Sequence, residues 1–127
     1  MLFDSSEVRK MVKGFEDAAG GPTMKEVTAV VFKGAMQIKQ DSTRRASGMA
    51  HAPAYPRSID FDMFVSLRGP AAEIGPNKSK RQGALGNLIE YGSVNNPPRP
   101  HMGPAAEAEE PKFARALEDL AVKAIEQ

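Results

Sequence analysis

The chain has 127 residues with a globular composition, 41% hydrophobic and 26% charged, and its length and composition indicate a single ordered domain. It contains no cysteine, which excludes a disulfide framework, a thiolate metal site and a cysteine nucleophile, and its net charge of +1 excludes a strongly basic nucleic-acid binder. No apolar run approaches membrane-spanning length, and the acidic, polar start lacks the basic residues of a signal peptide, so we expect no membrane partner and synthesis in the cytoplasm.

Two helices are predicted in the N-terminal part. Within residues 1–21, an apolar stripe at i, i+3, i+4 and i+7 predicts a helix that ends at Gly20-Gly21. Thr23 and Glu26 then form a T-x-x-E capping box, which opens a longer basic helix that Gly48 ends. The β-branched residues at 27–31 make a strand the competing interpretation, but the length of the segment and its capping box favour a helix.

A β-hairpin is predicted next. Apolar and polar residues alternate from Ile59 to Leu67, the pattern of a strand with one apolar face. Residues 68–70 are the predicted turn, and residues 72–74 are predicted to pair back as a short second strand. A third strand is predicted at residues 87–91.

A proline-rich corner precedes the C-terminal helix. The prolines among residues 96–103 predict an extended and stiff segment, because each one fixes φ and disfavours the α region for its predecessor. Pro104 is the predicted first residue of the last helix, which Pro111 either kinks or divides. The predicted fold is α+β: an N-terminal helix in residues 1–21 and a core in residues 22–127, where a long central helix and a C-terminal helix pack on a small antiparallel sheet.

The sequence contains no recognisable catalytic constellation. His51 and His101 stand in separate proline loops and lack the spacing of metal ligands, so both are predicted to be solvated. Asp60 and Asp62 share a strand face about 6–7 Å apart, and on a polar face such carboxylates are solvated or meet a basic neighbour far more often than they catalyse. Nucleotide-binding and nucleophile motifs are absent. We therefore predict a protein that is not an enzyme and has no catalytic residue, metal or cofactor.

One loop is distinctly basic. Lys78, Lys80 and Arg81 lie within four residues, between Gly75-Pro76 and Gly83. Such a cluster suits phosphate contacts, although an ordinary soluble surface loop is the simpler interpretation. No aromatic residue is interleaved, so any DNA contact would be independent of base sequence.

The order of motifs around the proline corner resembles a known family. Glu90-Tyr91-Gly92-Ser93 matches an E-[FY]-G-[ST] turn, Pro98-Arg99-Pro100 matches P-x-R-P, and Pro104-Ala105-Ala106 matches a P-A-[LA] helix start. In this order they resemble the tail-component morphogenesis proteins of long-tailed phages, relatives of the lambda minor tail protein Z. The resemblance extends over roughly residues 23–127. The chain departs from the family pattern at Ala54-Tyr55-Pro56-Arg57, where the family has T-G-x-L-R, and at Met102-Gly103, where a bulky apolar residue is common.

The resemblance implies a structural virion protein of the head-to-tail junction, which completes or closes the tail end. Its implied partners are further copies in a hexameric or dodecameric ring, connector and tail-tube proteins, and packaged DNA touched by the basic loop. It implies localisation at the virion neck, after assembly in the host cytoplasm. The alternatives are a tail terminator or head-closing stopper ring and, in another class, a small sequence-independent nucleic-acid-binding module. The expected interface residues come from the corner and the acidic last segment: Glu90, Tyr91, Gly92, Pro98, Arg99, Pro100, Glu107 and Glu110.

Overall fold

The computed structural model describes residues 2–3, 22–67 and 69–126, and the predicted N-terminal helix lies outside them. The fold is α+β, as predicted, with a three-stranded antiparallel sheet in the order β1-β3-β2. Its elements in chain order are β1 (Leu2–Phe3), α1 (Met24–Arg45), β2 (Ile59–Ser66), β3 (Gly69–Pro76), α2 (Gly86–Tyr91) and α3 (Met102–Glu126), with short 3-10 turns at Tyr55–Ser58 and Gly83–Leu85.

Helix α1 is the central element, and its start confirms the predicted capping box. The Thr23 hydroxyl accepts a hydrogen bond from the Glu26 N–H, and the Glu26 carboxylate accepts one from the Thr23 N–H, both at 3.2 Å. The competing strand interpretation of residues 27–31 is wrong, because this segment is part of the helix. The reciprocal caps and the helical spacing of its apolar residues both favour the helix. The buried side of α1 comprises Val27, Val31, Gly34, Ala35, Ile38 and Ser42. This stripe packs on the sheet and on α3.

The predicted hairpin is present, with a different turn. Strands β2 and β3 pair from Ile59 with Pro76 to Ser66 with Gly69, so Gly69 already belongs to β3 rather than to the predicted turn at residues 68–70. The second strand is therefore longer than the predicted residues 72–74. Glycine and proline at 69–70 suggested a turn, yet proline is tolerated near a strand end, where a missing N–H removes little of the ladder.

The predicted third strand is wrong, because residues 86–91 form helix α2. The N–H of Gly92 donates to the carbonyl of Leu88 at 2.9 Å, which closes the last turn of that helix. A run of six residues is too short for its periodicity to separate a strand from helical turns. The tertiary surroundings of this segment decide between helix and strand. Ile89 packs against the core, whereas Leu88 is 54% exposed.

Helix α3 runs unbroken from Met102 to Glu126, antiparallel to α1. Its start lies near the end of α1, where the Arg99 side chain meets the carbonyl of Ser47, and Glu109 further along meets Gln37 near the middle of α1. Pro104 is the third residue of the helix rather than its first, and Pro111 neither divides the helix nor ends it. Pro111 has no N–H to donate to the carbonyl of Glu107, four positions earlier. Both residues are exposed, so water can hydrogen-bond to that carbonyl instead.

Glu109 lies on the side of α3 that faces α1 and is only 6% exposed. The Gln37 amide, with its NH₂ turned toward the carboxylate, donates to both Glu109 oxygens, one of them at 2.8 Å. Burial raises the pKa of Glu109, although the positive charges of Lys112 and Lys33 counteract the rise. The charged carboxylate is therefore less favourable in the folded protein than in the unfolded chain.

We expect Glu109→Gln to stabilise the protein at neutral pH by about 0.5–1 kcal/mol, because the neutral amide removes the cost of burying a charge. A raised folded-state pKa means that the wild type loses stability as pH rises from about 4.5 through that pKa, so the gain should vanish in acid. Urea denaturation from pH 4 to pH 8 measures this difference. Glu110→Gln, at the exposed neighbouring position, is the matched control. A destabilised Glu109→Gln variant at pH 7 would contradict the prediction.

Candidate assembly site

The motif segment that carries the family resemblance folds into a set of contacts joining the three helices. We call the residues Tyr55, Glu90, Arg99 and His101 the brace. They come from the 3-10 turn before β2, from α2, from the proline segment and from the residue that precedes α3. The sequence placed Glu90 and Arg99 in a subunit interface, whereas the structure shows their charged groups engaged within the chain. Contact of these groups with a neighbouring subunit stays a prediction.

Glu90 caps the start of α3. One carboxylate oxygen accepts hydrogen bonds from the N–H groups of His101 at 3.0 Å and Met102 at 2.8 Å, and the other accepts from Gly103 at 3.2 Å. The first four N–H groups, counted from the residue that precedes the helix, have no partners within it, and the fourth of these positions is Pro104, which has no N–H. A single carboxylate from another helix therefore satisfies the whole start of α3.

The charge of Glu90 is stabilised in this position. Burial alone would raise its pKa, but the hydrogen bonds from the backbone of Met102, His101 and Gly103, with the nearby His101 ring, hold the pKa of Glu90 below its usual value. The positive end of the α3 dipole acts in the same direction. Glu90 is thus ionised at neutral pH, and its charge is part of the folded structure.

His101 is fully buried, so the prediction that it is solvated is wrong. Its Nδ1 lies 3.0 Å from both the Arg99 carbonyl and a Glu90 oxygen, which are acceptors, so we assign the ring proton to Nδ1. Nε2 then accepts the Tyr55 hydroxyl at 2.6 Å. Burial, with a contribution from the Glu90 charge, raises the pKa of Tyr55 to about 12, so this hydroxyl keeps its proton. The sequence showed only a histidine between prolines and gave no sign of Tyr55 as its partner.

Arg99 fastens the proline segment to α1 and α2. Its guanidinium donates to the Ser47 carbonyl at 2.6 Å and the Arg45 carbonyl at 3.4 Å, at the end of α1 where a cation also complements the helix dipole. Its backbone N–H donates to the Ile89 carbonyl at 2.7 Å. Residues 97–100 have no helical or strand structure. The predicted extended segment is wrong at its end, because Met102 and Gly103 already belong to α3.

Gly92 makes the corner sterically possible. Its φ is +81°, and a Cβ there would lie 2.8 Å from the Pro98 nitrogen. The other predicted interface residues project outward: Tyr91, Pro98, Pro100, Glu107 and Glu110 are all exposed. Tyr55, Glu90 and His101 of the brace thus lie inside the corner, whereas Arg99 and the other accessible predicted contact residues lie on its outer side.

The basic loop is only partly free. Lys80 forms an ion pair with Asp60 at 3.0 Å, and Lys39 of α1 approaches the same carboxylate at 3.6 Å. The hydrogen bond from Lys80 is the main reason that the pKa of Asp60 lies below its usual value. Lys78 and Arg81 are exposed and have no ion-pair partner among the described residues. Asp60 thus meets basic groups of its own chain, and Lys80 anchors the loop between its two accessible cations.

Asp62, the other carboxylate of this strand face, is exposed and stands opposite Glu73 of β3. Within residues 22–67 and 69–126 no group of three or more potential metal ligands comes together. Nor does the described part of the chain contain a helix long and apolar enough to cross a membrane.

Compared with protein-family models, with curated proteins and with solved structures, this chain matches none.

Proposed function

We propose that this chain is a structural virion protein of the phage head-to-tail junction, which completes or closes the tail end by assembling as a ring around the DNA channel. The observation that carries the proposal is the brace. The segment with the family-like motifs, from Glu90 to Pro104, fixes α1, α2 and α3 to one another through buried or charge-assisted contacts. A rigid subunit loses less conformational entropy on association, which favours ordered assembly.

The outer side of the corner supplies contact residues for such a ring. Tyr91 is 77% exposed although it is aromatic, and Pro98 and Pro100 beside it are rigid and accessible. Exposed aromatic side chains on a stiff support are typical of protein interfaces. Glu107 and Glu110 extend this surface with negative charge, suited to a basic surface on a neighbouring protein.

The basic loop supplies the proposed contact with DNA. Lys78 and Arg81 are exposed, while the ion pair of Lys80 with Asp60 holds the loop against the sheet. Repeated around a ring, these cations form a positive collar even though one subunit carries a net charge of only +1. The same cations support the second candidate, a small nucleic-acid-binding module, which would bind DNA as a monomer. Tail terminator and stopper rings remain alternatives within the first class.

Removal of the gene from a phage that encodes this protein tests the proposal. We expect filled heads and separate tails, because the junction would be incomplete, and we expect the wild-type gene supplied in trans to restore joined particles. Lys78→Glu with Arg81→Glu should restore joining but lower DNA retention. Arg115→Glu with Lys123→Glu, the same charge change at exposed positions on α3, should behave as the wild type. Electron microscopy and nuclease-protected DNA measure both steps.

Normal joining of heads and tails without the gene would refute the proposed function. Salt-dependent DNA binding by the isolated monomer, abolished by the two loop substitutions, together with unimpaired particles, would favour the nucleic-acid-binding module.

A further inference from the structure

One edge of the sheet is open in the described part of the chain. In the order β1-β3-β2, strand β2 pairs on one side only, and no described segment forms a ladder with its other side. The pairing with β3 continues in one register over all eight residues of β2. Natural edge strands are commonly short, bulged or interrupted by proline, which prevents another strand from pairing with them. Strand β2 has none of these features.

The ladder shows which backbone groups of β2 face this edge. Hydrogen-bonded and non-hydrogen-bonded pairs alternate along an antiparallel ladder. The Asn77 N–H donates to the Ser58 carbonyl at 2.7 Å, which makes that pair a hydrogen-bonded one and fixes the alternation. Val65 then falls in a non-hydrogen-bonded pair, and its partner Pro70 indeed has no N–H to donate. Three residues therefore direct their N–H and carbonyl groups towards the open edge: Phe61, Met63 and Val65.

These groups are available to a further strand. The Phe61 N–H donates to the adjacent Asp60 carboxylate at 3.2 Å, a local bond that a strand can replace. The outward N–H and carbonyl groups of Met63 and Val65 have no hydrogen-bond partner among the described residues. The Val65 side chain is also 73% exposed, although it lies on the same face of the strand as the half-buried Met63. An added strand would pair these backbone groups and cover Val65.

The charges beside the edge decide which strand fits. Asp62 on β2 and Glu73 opposite it on β3 are exposed and have no ion-pair partner among the described residues. Both line a polar depression of about 300 Å³. Lys78 also lines it without forming an ion pair with either acid, and the third carboxylate there, that of Asp60, is already paired with Lys80. The unpaired acids therefore outnumber the unpaired cation.

This charge favours a basic strand and disfavours a second copy of β2. A lysine or arginine next to Asp62 across the new ladder would form an opposite-charge cross-strand pair, the favourable kind. Another β2 would bring its own Asp60 and Asp62 to the same edge, which carries negative charge already. The inner face of the strand asks for apolar residues beside Met63 and Val65.

We propose that the open edge of β2 is a docking site for an extended segment of another protein, in which apolar residues alternate with lysine or arginine. The segment adds a fourth strand to the sheet, with its apolar residues beside Met63 and Val65 and a cation beside Asp62. This inference goes beyond the proposed function and does not rest on it, because it uses only the ladder and the charges of the hairpin.

A synthetic peptide tests the site on the full chain. The blocked peptide acetyl-Val-Lys-Val-Lys-Val-amide should slow hydrogen exchange at the amides of Met63 and Val65 by about tenfold or more, because it accepts their outward N–H groups. The same peptide with glutamate in place of lysine should bind about tenfold more weakly. A peptide with N-methylated valines, which cannot complete the ladder, should give no protection.

Two variants separate backbone pairing from charge. Val65→Pro removes an outward N–H that takes no part in the bonds to β3, so it should abolish protection at Met63 while the circular dichroism spectrum stays that of the wild type. Asp62→Lys should reverse the preference, so that the glutamate peptide binds more tightly than the lysine peptide. Glu118→Lys, the same charge change at an exposed position on α3, is the matched control and should keep the wild-type preference.

Equal affinity for the lysine and glutamate peptides would overturn the site, as would a preference that Asp62→Lys leaves unchanged. Protection of Met63 that persists in Val65→Pro would show that the peptide binds elsewhere and would overturn it too. Self-association of the chain without peptide, abolished by Val65→Pro, would assign the edge to a second copy and contradict the proposal.

Discussion

Replacing Glu90 with alanine should lower the free energy of unfolding by about 3–5 kcal/mol. The carboxylate accepts hydrogen bonds from three backbone N–H groups at the start of α3, and its removal leaves these groups without a protein partner. It also removes the negative charge at the positive end of that helix and a neighbour of the buried His101 ring. Glu107→Ala, at an exposed position on α3, is the control and should change stability by less than about 0.5 kcal/mol. Urea denaturation at pH 7 measures both.

The pH dependence of stability supplies an independent check on Glu90. Its folded-state pKa lies below the ordinary value of 4.5, so its contribution is complete above about pH 4.5 and is lost as pH falls through the folded-state pKa. The wild type should therefore lose stability in acid more steeply than Glu90→Gln, which cannot titrate. Equal acid slopes for the two proteins, or a loss in Glu90→Ala no larger than in Glu107→Ala, would show that the cap does not stabilise the fold.

Replacing His101 with alanine should cost about 3–4 kcal/mol of stability, because it leaves a cavity and removes the acceptor of the buried Tyr55 hydroxyl. Tyr55→Phe deletes only the hydroxyl and should cost about 1–2 kcal/mol, the expected loss when a buried nitrogen loses its donor. His51→Ala is the matched control, since His51 is exposed in its loop and should be nearly neutral. Chemical denaturation gives the three values.

The ring of His101 also has a spectroscopic signature. Its ¹⁵N shifts should indicate the tautomer with the proton on Nδ1, as required by the two acceptors beside that atom. A ring proton on Nε2 instead of Nδ1, or an equal loss of stability in His51→Ala and His101→Ala, would contradict the structural role of the brace.

Contacts between residues close in the sequence were predictable, because local backbone geometry fixes them. The capping box of Thr23 and Glu26 joins residues three apart, and its geometry follows once the helix begins. The strand at Ile59–Ser66 follows from alternation, which turns Ile59, Phe61 and Met63 towards the core, although Val65 on the same side is exposed. The stiffness of the proline corner is likewise intrinsic to its residues. These features gave the α+β class and the hairpin.

Where local preferences were nearly balanced, the tertiary structure decided. Residues 86–91 became a helix because of what surrounds them, and Pro111 is tolerated in α3 because its side of the helix faces water. The brace is the clearest case: Glu90 reaches residues 11 to 13 positions away, and Tyr55 meets His101 across 46 positions. No local periodicity encodes such pairs. The sequence alone determined the elements and the composition of the corner. Only tertiary packing buried the apparently solvated His101 and engaged Glu90, an expected interface residue, with backbone N–H groups of its own chain.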